Sequence, residues 1–133
     1  MKIICDTHVL LFWADQPERL SVAAQHAIEQ GLSANTLACA DISLWEIAML
    51  HARGRLNRAA GIDVTDYLHD ILLAMDMMIL PITPEIATFA QDERFTHGDP
   101  ADRLIAATAI IHAAPLISAD AKLAAVPGLR CIW

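Results

Sequence analysis

Short runs of apolar residues alternate along the chain with longer segments in which apolar residues recur at helical spacing. The runs at residues 3–5, 37–39, 77–82, 115–118 and 129–132 are predicted to be strands, and the segments between them are predicted to contain helices. This alternation, without internal repeats or a linker, predicts an α/β fold in which helices cover both faces of a mostly parallel sheet. We expect residues 1–133 to form a single domain.

Capping residues predict where the helices begin and end. Ser21 is a candidate N-cap, with Gly31 as the C-terminal cap of the same helix, and Ser43 is expected to open a further helix that Gly54 ends. Helices are also predicted at 64–74, 84–91, 100–113 and 121–125. Two of these follow a capping residue and a proline, in Thr83-Pro84 and Asp99-Pro100.

Acidic residues follow the predicted strands. Asp6 comes directly after the first strand, Glu46 lies early in the helix after the second, and Asp120 follows the fourth. Asp99 and Asp102 open another helix, and their i, i+3 spacing places them on one face of it. Because right-handed crossovers bring the carboxyl ends of parallel strands to one edge of the sheet, these five carboxylates are predicted to converge there.

Each of these carboxylates also has a purely structural explanation. Asp6, Asp99 and Asp120 are candidate N-caps, and Asp102 in the first turn of its helix suits the helix dipole. Glu46 stands three residues after Ser43 in the S-x-x-E pattern of a capping box. Taken together, however, acidic oxygens without a basic partner are the hard ligands that Mg²⁺ and Mn²⁺ prefer. Such ions activate water and stabilise the leaving oxygen of a phosphodiester.

Net charge, hydrophobic content and cysteine usage limit the classes of protein to which this chain can belong. The net charge of −7 argues against a protein that tracks nucleic-acid phosphates over a basic face, but not against an enzyme whose acids hold cations. The 56% hydrophobic content indicates a doubly covered sheet, an oligomer interface or both. No secretory signal or membrane span is expected. Cys5, Cys39 and Cys131 are interpreted as buried thiols of a reducing, cytoplasmic compartment.

Four segments resemble a PIN domain and, within that group, the VapC-type ribonuclease toxins of bacterial type II toxin–antitoxin pairs. They are DTHVLLFW at residues 6–13, SLWEIAM at 43–49, GDPADRLIAATA at 98–109 and LISAD at 116–120. The resemblance covers essentially the whole chain. It implies a three-layer α/β/α domain with a central parallel sheet in the order 3-2-1-4-5.

The resemblance also implies an activity and its residues. The activity is endonucleolytic cleavage of RNA that depends on Mg²⁺ or Mn²⁺, and the implied partners are an antitoxin, bound as an amphipathic segment across an apolar groove near the site, and a second copy in a homodimer. The acidic set of the family corresponds to Asp6, Glu46, Asp99 and Asp102, with Asp120 as its more variable fifth member. The hydroxyls of Thr7 and Ser118 match those that stand beside the site in relatives.

The expected mechanism is metal-assisted hydrolysis. Asp6, Asp99 and Asp102 are expected to hold the ion, Glu46 to position a water, and Asp120 to complete a second metal position. Arg103 is expected to pair with Asp99 rather than to contact RNA.

The sequence does not decide three questions about the site and its function. His51, Arg53 or Arg55 must supply the basic residue that usually follows the Glu-bearing helix, with Arg58 and Arg94 as further candidates near the approach. Asp41 is expected at the surface, although it could extend the acidic site. Finally, a catalytically silent module whose acidic edge holds a basic partner, or a metal-dependent phosphatase of another α/β fold, would show the same carboxylates.

Overall fold

A five-stranded parallel sheet forms the centre of the molecule in a computed structural model that describes residues 1–56, 61, 63–96 and 98–133. The strands are β1 (Ile3–Cys5), β2 (Leu37–Ala40), β3 (Met78–Leu80), β4 (Leu116–Ile117) and β5 (Cys131–Ile132). They lie in the order β3-β2-β1-β4-β5, and each of the four neighbouring pairs is parallel. This order confirms the sheet that the resemblance implied.

Seven helices in the described residues cover the sheet. They are α1 (Thr7–Asp15), α2 (Val22–Ala34), α3 (Asp41–Ala52), α4 (Val64–Ala74), α5 (Pro84–Phe89), α6 (Pro100–Ile111) and α7 (Ala121–Ala124), with a 3-10 turn at Pro17–Arg19. The caps predicted at Ser21, Thr83 and Asp99 are confirmed, because each of these side chains accepts a hydrogen bond from a backbone N–H of the helix that it precedes.

Side chains alternate between the two faces of the sheet and divide the core in two. Ile4 and Leu116 lie in a cluster with residues of α5, α6 and α7, whereas Cys5 and Ile117 lie in a second cluster with residues of α1, α2, α3 and α4. All four side chains are fully buried. The sheet is therefore covered on both faces, which accounts for the high hydrophobic content without requiring an oligomer.

The C-terminal end of α2 differs from the prediction. Gly31 is not the cap, because the helix continues to Ala34 and ends at Asn35, which adopts the left-handed conformation with φ 56°. Gly31 instead faces the sheet, where a Cβ atom would lie 2.3 Å from Cδ2 of Leu37. The prediction of a C-terminal cap at Gly31 is therefore wrong, and the absence of a side chain at this position instead permits close packing of α2 on β2.

No helix among the described residues has both the length and the apolar character needed to cross a membrane.

Candidate metal centre

The carboxyl ends of β1, β2 and β4 place acidic residues along one edge of the sheet. Asp6 follows β1 and caps α1, Glu46 lies in α3 after β2, and Asp120 follows β4 and caps α7. Asp99 caps α6, and Asp102 lies in the first turn of that helix. The five carboxylates line a single cleft of about 280 Å³, here called the acidic cleft, together with His8, Val9, Phe12 and Ala119.

Asp6 is buried at the base of the acidic cleft and is held from two directions. The backbone N–H of Thr7 donates to Oδ1 at 2.8 Å, and the hydroxyl of Ser118 donates to Oδ2 at 2.7 Å. Burial raises the pKa of Asp6, although these two hydrogen bonds and the charge of His8 oppose the rise. Because burial disfavours the negative charge of Asp6, a bound cation would stabilise its ionised form.

Ser118 also fixes the neighbouring acid. Its Oγ accepts a hydrogen bond from the backbone N–H of Asp120 at 3.1 Å, while the Asp120 carboxylate accepts from the N–H of Lys122 at 2.8 Å. The predicted cap at Asp120 is thus present. Its side chain still lines the acidic cleft, so the capping and metal-binding explanations are compatible.

Glu46 is buried, and its position corrects the capping-box prediction. Helix α3 begins at Asp41 with Ala40 as its N-cap, so Ser43 lies inside the helix and Glu46 almost one turn further along. Both side chains point to α1 instead. Oγ1 of Thr7 lies 2.9 Å from Oγ of Ser43 and donates to Oε1 of Glu46 at 2.5 Å.

The surroundings of Glu46 disfavour its charge. Burial raises its pKa, the hydrogen bond from Thr7 lowers it, and the negative charges of Asp99 and Asp6 raise it further. The positive charge of His8 acts in the opposite direction. The pKa values of both buried acids of the cleft therefore lie above those of free carboxyls, as is common where burial and neighbouring like charges combine at a functional site.

Glu46, Asp99 and Asp102 form the tightest acidic group in the part of the chain that the structure describes. One carboxylate oxygen from each lies within 4.8 Å of the others. Two oxygens that share one Mg²⁺ at 2.0–2.1 Å can be at most about 4.2 Å apart, so a small side-chain movement would complete the geometry. The donor set is all oxygen, which fits a hard divalent cation.

This grouping differs from the expected division of roles. In the expected mechanism Asp6, Asp99 and Asp102 hold the ion, and Glu46 positions a water. The structure places an oxygen of Glu46 beside Asp99 and Asp102, while Asp6 and Asp120 line the same cleft outside that group. Asp99 combines two functions, because Oδ1 also accepts a hydrogen bond from the N–H of Ala101 at 2.9 Å.

Two further expectations are wrong. Arg103 does not pair with Asp99, since its Nε donates to the carbonyl of Ala90 at 3.1 Å. Asp41 is only partly exposed and has a structural partner: it follows β2 directly, and its Oδ2 accepts a hydrogen bond from the backbone N–H of Ile82 at 3.0 Å. Asp41 ties the start of α3 to the segment after β3 and does not line the acidic cleft.

The basic residues that were candidates for RNA contact lie in different parts of the structure. Arg55 lies in a groove beside the acidic cleft, and Arg53 lines an apolar groove on the other side of Glu46. Arg94 forms an ion pair with Asp92 and lies against the ring of Phe89. Arg58 lies outside the described residues, and His51 occupies the last turn of α3.

Sequence reasoning missed His8. This exposed residue lines the acidic cleft, and its ring lies 6.2 Å from that of Phe12. The available signal was its place in α1, two residues after Asp6, because the first turn of a helix that starts at a strand end faces the same edge of the sheet.

The fold and this acidic edge define a family, and comparison with known proteins agrees. The family model for the PIN domain matches residues 3–129. The chain belongs to the PIN domain family. Within it, the chain is of the VapC type: it is 42% identical over 123 residues to Ribonuclease VapC22 of Mycobacterium tuberculosis (strain ATCC 25618 / H37Rv), a match that covers 91% of this chain and 88% of that relative.

Solved structures show the same fold at lower identity. A structure of VapBC2 from Rickettsia felis, bound to a DNA fragment from their promoter, matches with a TM-score of 0.75 and 18% identity, covering 98% of this chain and 97% of that chain. A toxin–antitoxin complex from Klebsiella pneumoniae matches with a TM-score of 0.63 and 19% identity, covering 96% and 95%. FitAB bound to an IR36 DNA fragment matches with a TM-score of 0.63 and 21% identity, covering 97% and 92%.

Proposed function

We propose that this protein is an endoribonuclease toxin that hydrolyses RNA phosphodiester bonds with Mg²⁺ or Mn²⁺ and is neutralised by a cognate antitoxin. The observation that carries the proposal is the convergence of Glu46, Asp99 and Asp102 within 4.8 Å in a cleft that Asp6 and Asp120 also line. The similarity to Ribonuclease VapC22 supports the substrate class. An RNA substrate and buried thiols at Cys5 and Cys39 both suit a cytoplasmic enzyme.

The chain's own residues account for binding and orientation. Glu46, Asp99 and Asp102 would hold the ion, Asp6 would bind it directly or through a water, and Asp120 would serve a second position. A divalent ion bound there would supply a water of lowered pKa and would stabilise negative charge on the phosphate oxygens. Thr7 and Ser118 keep Glu46 and Asp6 in fixed rotamers by donating to their carboxylates.

The antitoxin is proposed to occupy the apolar groove, a depression of about 490 Å³ whose apolar wall is formed by Ile42, Trp45, Met49, Pro100 and Leu104. Trp45 is 58% exposed there, an unusual position for so large an apolar side chain. Glu46 and Asp99 also line the groove, so a bound segment reaches the acidic cleft. An amphipathic segment with an apolar face and a basic side chain directed at those carboxylates would match this surface.

A homodimer is proposed to use the edge strand β3. Met78 and Ile79 are 45% and 43% exposed, and Ile82 just beyond the strand is 39% exposed. An exposed apolar edge is a surface that a second copy of the chain can cover. Sedimentation of the wild-type protein and an Ile79→Lys variant tests this directly: the variant should sediment as a monomer, and an unchanged dimer would place the interface elsewhere.

Cleavage of RNA tests the proposed function. The chain is expressed without a partner, and new RNA 5′ ends are mapped in cells that carry the wild type or Asp102→Asn. Purified protein should reproduce the mapped cleavage with Mg²⁺ or Mn²⁺ and lose it with EDTA. Mn²⁺ binding without any new RNA ends, but with hydrolysis of small phosphate esters, would identify a phosphatase. Absence of both metal binding and cleavage would identify a silent binding module.

A further inference from the structure

A second depression adjoins the acidic cleft, and we propose that it binds the phosphates of the RNA strand next to the scissile one. It has a volume of about 240 Å³, and the described residues that line it include two cationic side chains, Arg19 and Arg55, together with the imidazole of His8. We call it the basic groove. This inference rests on the proposed function and assigns a path for the substrate across the surface.

The basic groove is continuous with the acidic cleft. His8 and Phe12 line both depressions, so a strand whose scissile phosphate lies among the carboxylates can enter the groove by crossing α1. Successive phosphates of a single strand carry one negative charge each. In this arrangement a metal ion in the acidic cleft would hold the scissile phosphate. The side chains of the basic groove would hold the neighbouring phosphates.

Charge in the basic groove is positive, although the chain as a whole carries −7. Among the residues that the structure describes, Asp15 is the one acidic side chain that lines it, and this carboxylate accepts a hydrogen bond from the hydroxyl of Tyr67 at 2.7 Å. The guanidinium of Arg19 is held in place by the ring of Phe12, with 4.3 Å between Cζ and the ring centroid. A pre-positioned guanidinium loses little side-chain entropy on binding, which suits recognition of a phosphate.

The groove favours a polyanion over a protein segment. Five polar side chains line it, and its apolar lining consists of the partly buried side chains of Leu11, Leu50 and Leu56 and the shared ring of Phe12. The apolar groove on the far side of Glu46 has the opposite character. The two surfaces thus divide the substrate from the antitoxin on either side of the cleft.

The test uses an RNA oligonucleotide that spans the cleavage site mapped in cells. Arg55→Gln and the double variant Arg19→Gln/Arg55→Gln are compared with wild type, and Arg130→Gln, an exposed arginine that lines neither groove nor cleft, is the matched control for lost charge. Arg55→Gln should raise KM with kcat almost unchanged. The slope of log(kcat/KM) against log[salt] should become shallower by about 0.7 for each phosphate contact removed. Arg55→Lys should restore most of the slope.

A second measurement locates the contact on the RNA. Removing nucleotides from one end of the oligonucleotide should abolish the difference between wild type and the double variant, whereas removal from the other end should preserve it. If the double variant matches Arg130→Gln in KM and salt slope, the inference is overturned. Loss of antitoxin binding with RNA kinetics unchanged would also overturn it and assign the groove to protein. If the wild type cleaves no RNA, it is the proposed function that fails.

Discussion

The hydroxyl of Thr7 donates to the carboxylate of Glu46 at 2.5 Å, although the two residues are 39 positions apart and belong to different helices. Both side chains are buried, and Oγ of Ser43 lies 2.9 Å from the same Thr7 oxygen. This contact joins the start of α1 to the middle of α3. It orients the carboxylate of Glu46, and we therefore propose Thr7 as a positioning residue of the proposed metal centre.

Thr7→Val should therefore lower metal affinity without removing a ligand. The valine keeps the shape of threonine but leaves Glu46 without its donor, and we expect Mn²⁺ affinity to fall about 10–100-fold. The free energy of unfolding should fall by about 1–3 kcal/mol, because a buried carboxylate loses a hydrogen bond. Thr7→Ser should restore affinity in calorimetric titration. Equal Mn²⁺ affinity in the wild type and Thr7→Val would show that the contact is structural only.

Asp6→Asn should abolish RNA cleavage and leave the fold intact. Burial raises the pKa of Asp6, so the charged form opposes folding in the metal-free protein, and a neutral amide of the same size relieves that cost. We expect activity to fall by about 10²-fold or more while thermal unfolding without metal occurs at the same or a higher temperature. Substantial cleavage by Asp6→Asn would remove Asp6 from the mechanism.

The close grouping of Glu46, Asp99 and Asp102 predicts which substitutions weaken Mn²⁺ binding most. Glu46→Gln and Asp102→Asn each remove a charge from the tightest acidic group and should weaken Mn²⁺ binding more than Asp120→Asn does. Asp41→Asn is the control for lost charge, because Asp41 lies outside the acidic cleft. If Glu46→Gln binds Mn²⁺ as tightly as Asp41→Asn does, Glu46 acts on a water rather than on the metal.

Gly31→Ala should destabilise the protein although alanine is the better helix former. The added Cβ would meet Cδ2 and Cγ of Leu37 at 2.3 and 2.7 Å, and Leu37 is itself buried in β2. We expect a net loss of about 1–3 kcal/mol in denaturant unfolding, since overpacking outweighs the gain in helix propensity. Gly98→Ala, where a Cβ would meet nothing within 4 Å, is the control. A stabilised Gly31→Ala would mean that α2 can shift away from the sheet.

The three thiols should differ in reactivity. Burial raises the pKa of Cys39 to about 12 and raises that of Cys5 further, whereas Cys131 is only half-buried. In the native protein iodoacetamide should modify Cys131 first, and Cys5 and Cys39 only after unfolding. Mass spectrometry of digested protein checks this order. Early modification of Cys39 would contradict the burial of β2.

The same thiols make stability depend on alkaline pH. Above the ordinary thiol pKa of 9.0, the unfolded chain releases protons that folded Cys5 and Cys39 retain. The unfolded state then binds fewer protons than the native state, so the free energy of unfolding should fall as pH rises from 9 toward 12. Cys39→Ala should reduce this slope in denaturant titrations.

Local sequence patterns predict the α/β class and the edge of the sheet at which the carboxylates gather, whereas the strand order follows only from the resemblance to the PIN domain. An apolar run followed by an acidic residue predicts that Asp6 and Asp120 lie at strand ends. The proline after Asp99 predicts where α6 begins. The role of Glu46 could not be read in this way. The S-x-x-E pattern is identical whether Ser43 caps a helix or lies within one, and only the contact with Thr7 distinguishes the two.

Other departures have the same cause. Gly31 resembles a helix end unless the approach of Leu37 is known, and Asp41 resembles a surface acid unless the N–H of Ile82 is seen beside it. His8 carries no local signal apart from its distance to Asp6. Gly31 and Asp41 are each defined by a contact with a residue of another secondary-structure element, and a pattern of neighbouring residues does not contain that information.

The hydrogen bond from Ser118 to Asp6 joins residues 112 positions apart, and β1 lies between β2 and β4 at the centre of the sheet. During synthesis Asp6 leaves the ribosome long before Ser118 and Asp120 do. A growing chain can fold its first strands and helices, but it cannot complete the centre until β4 is available to pair with β1. An acidic cleft assembled in this order gains Asp120, and the hydrogen bond that Ser118 donates to Asp6, only after β4 has been synthesised and has paired with β1.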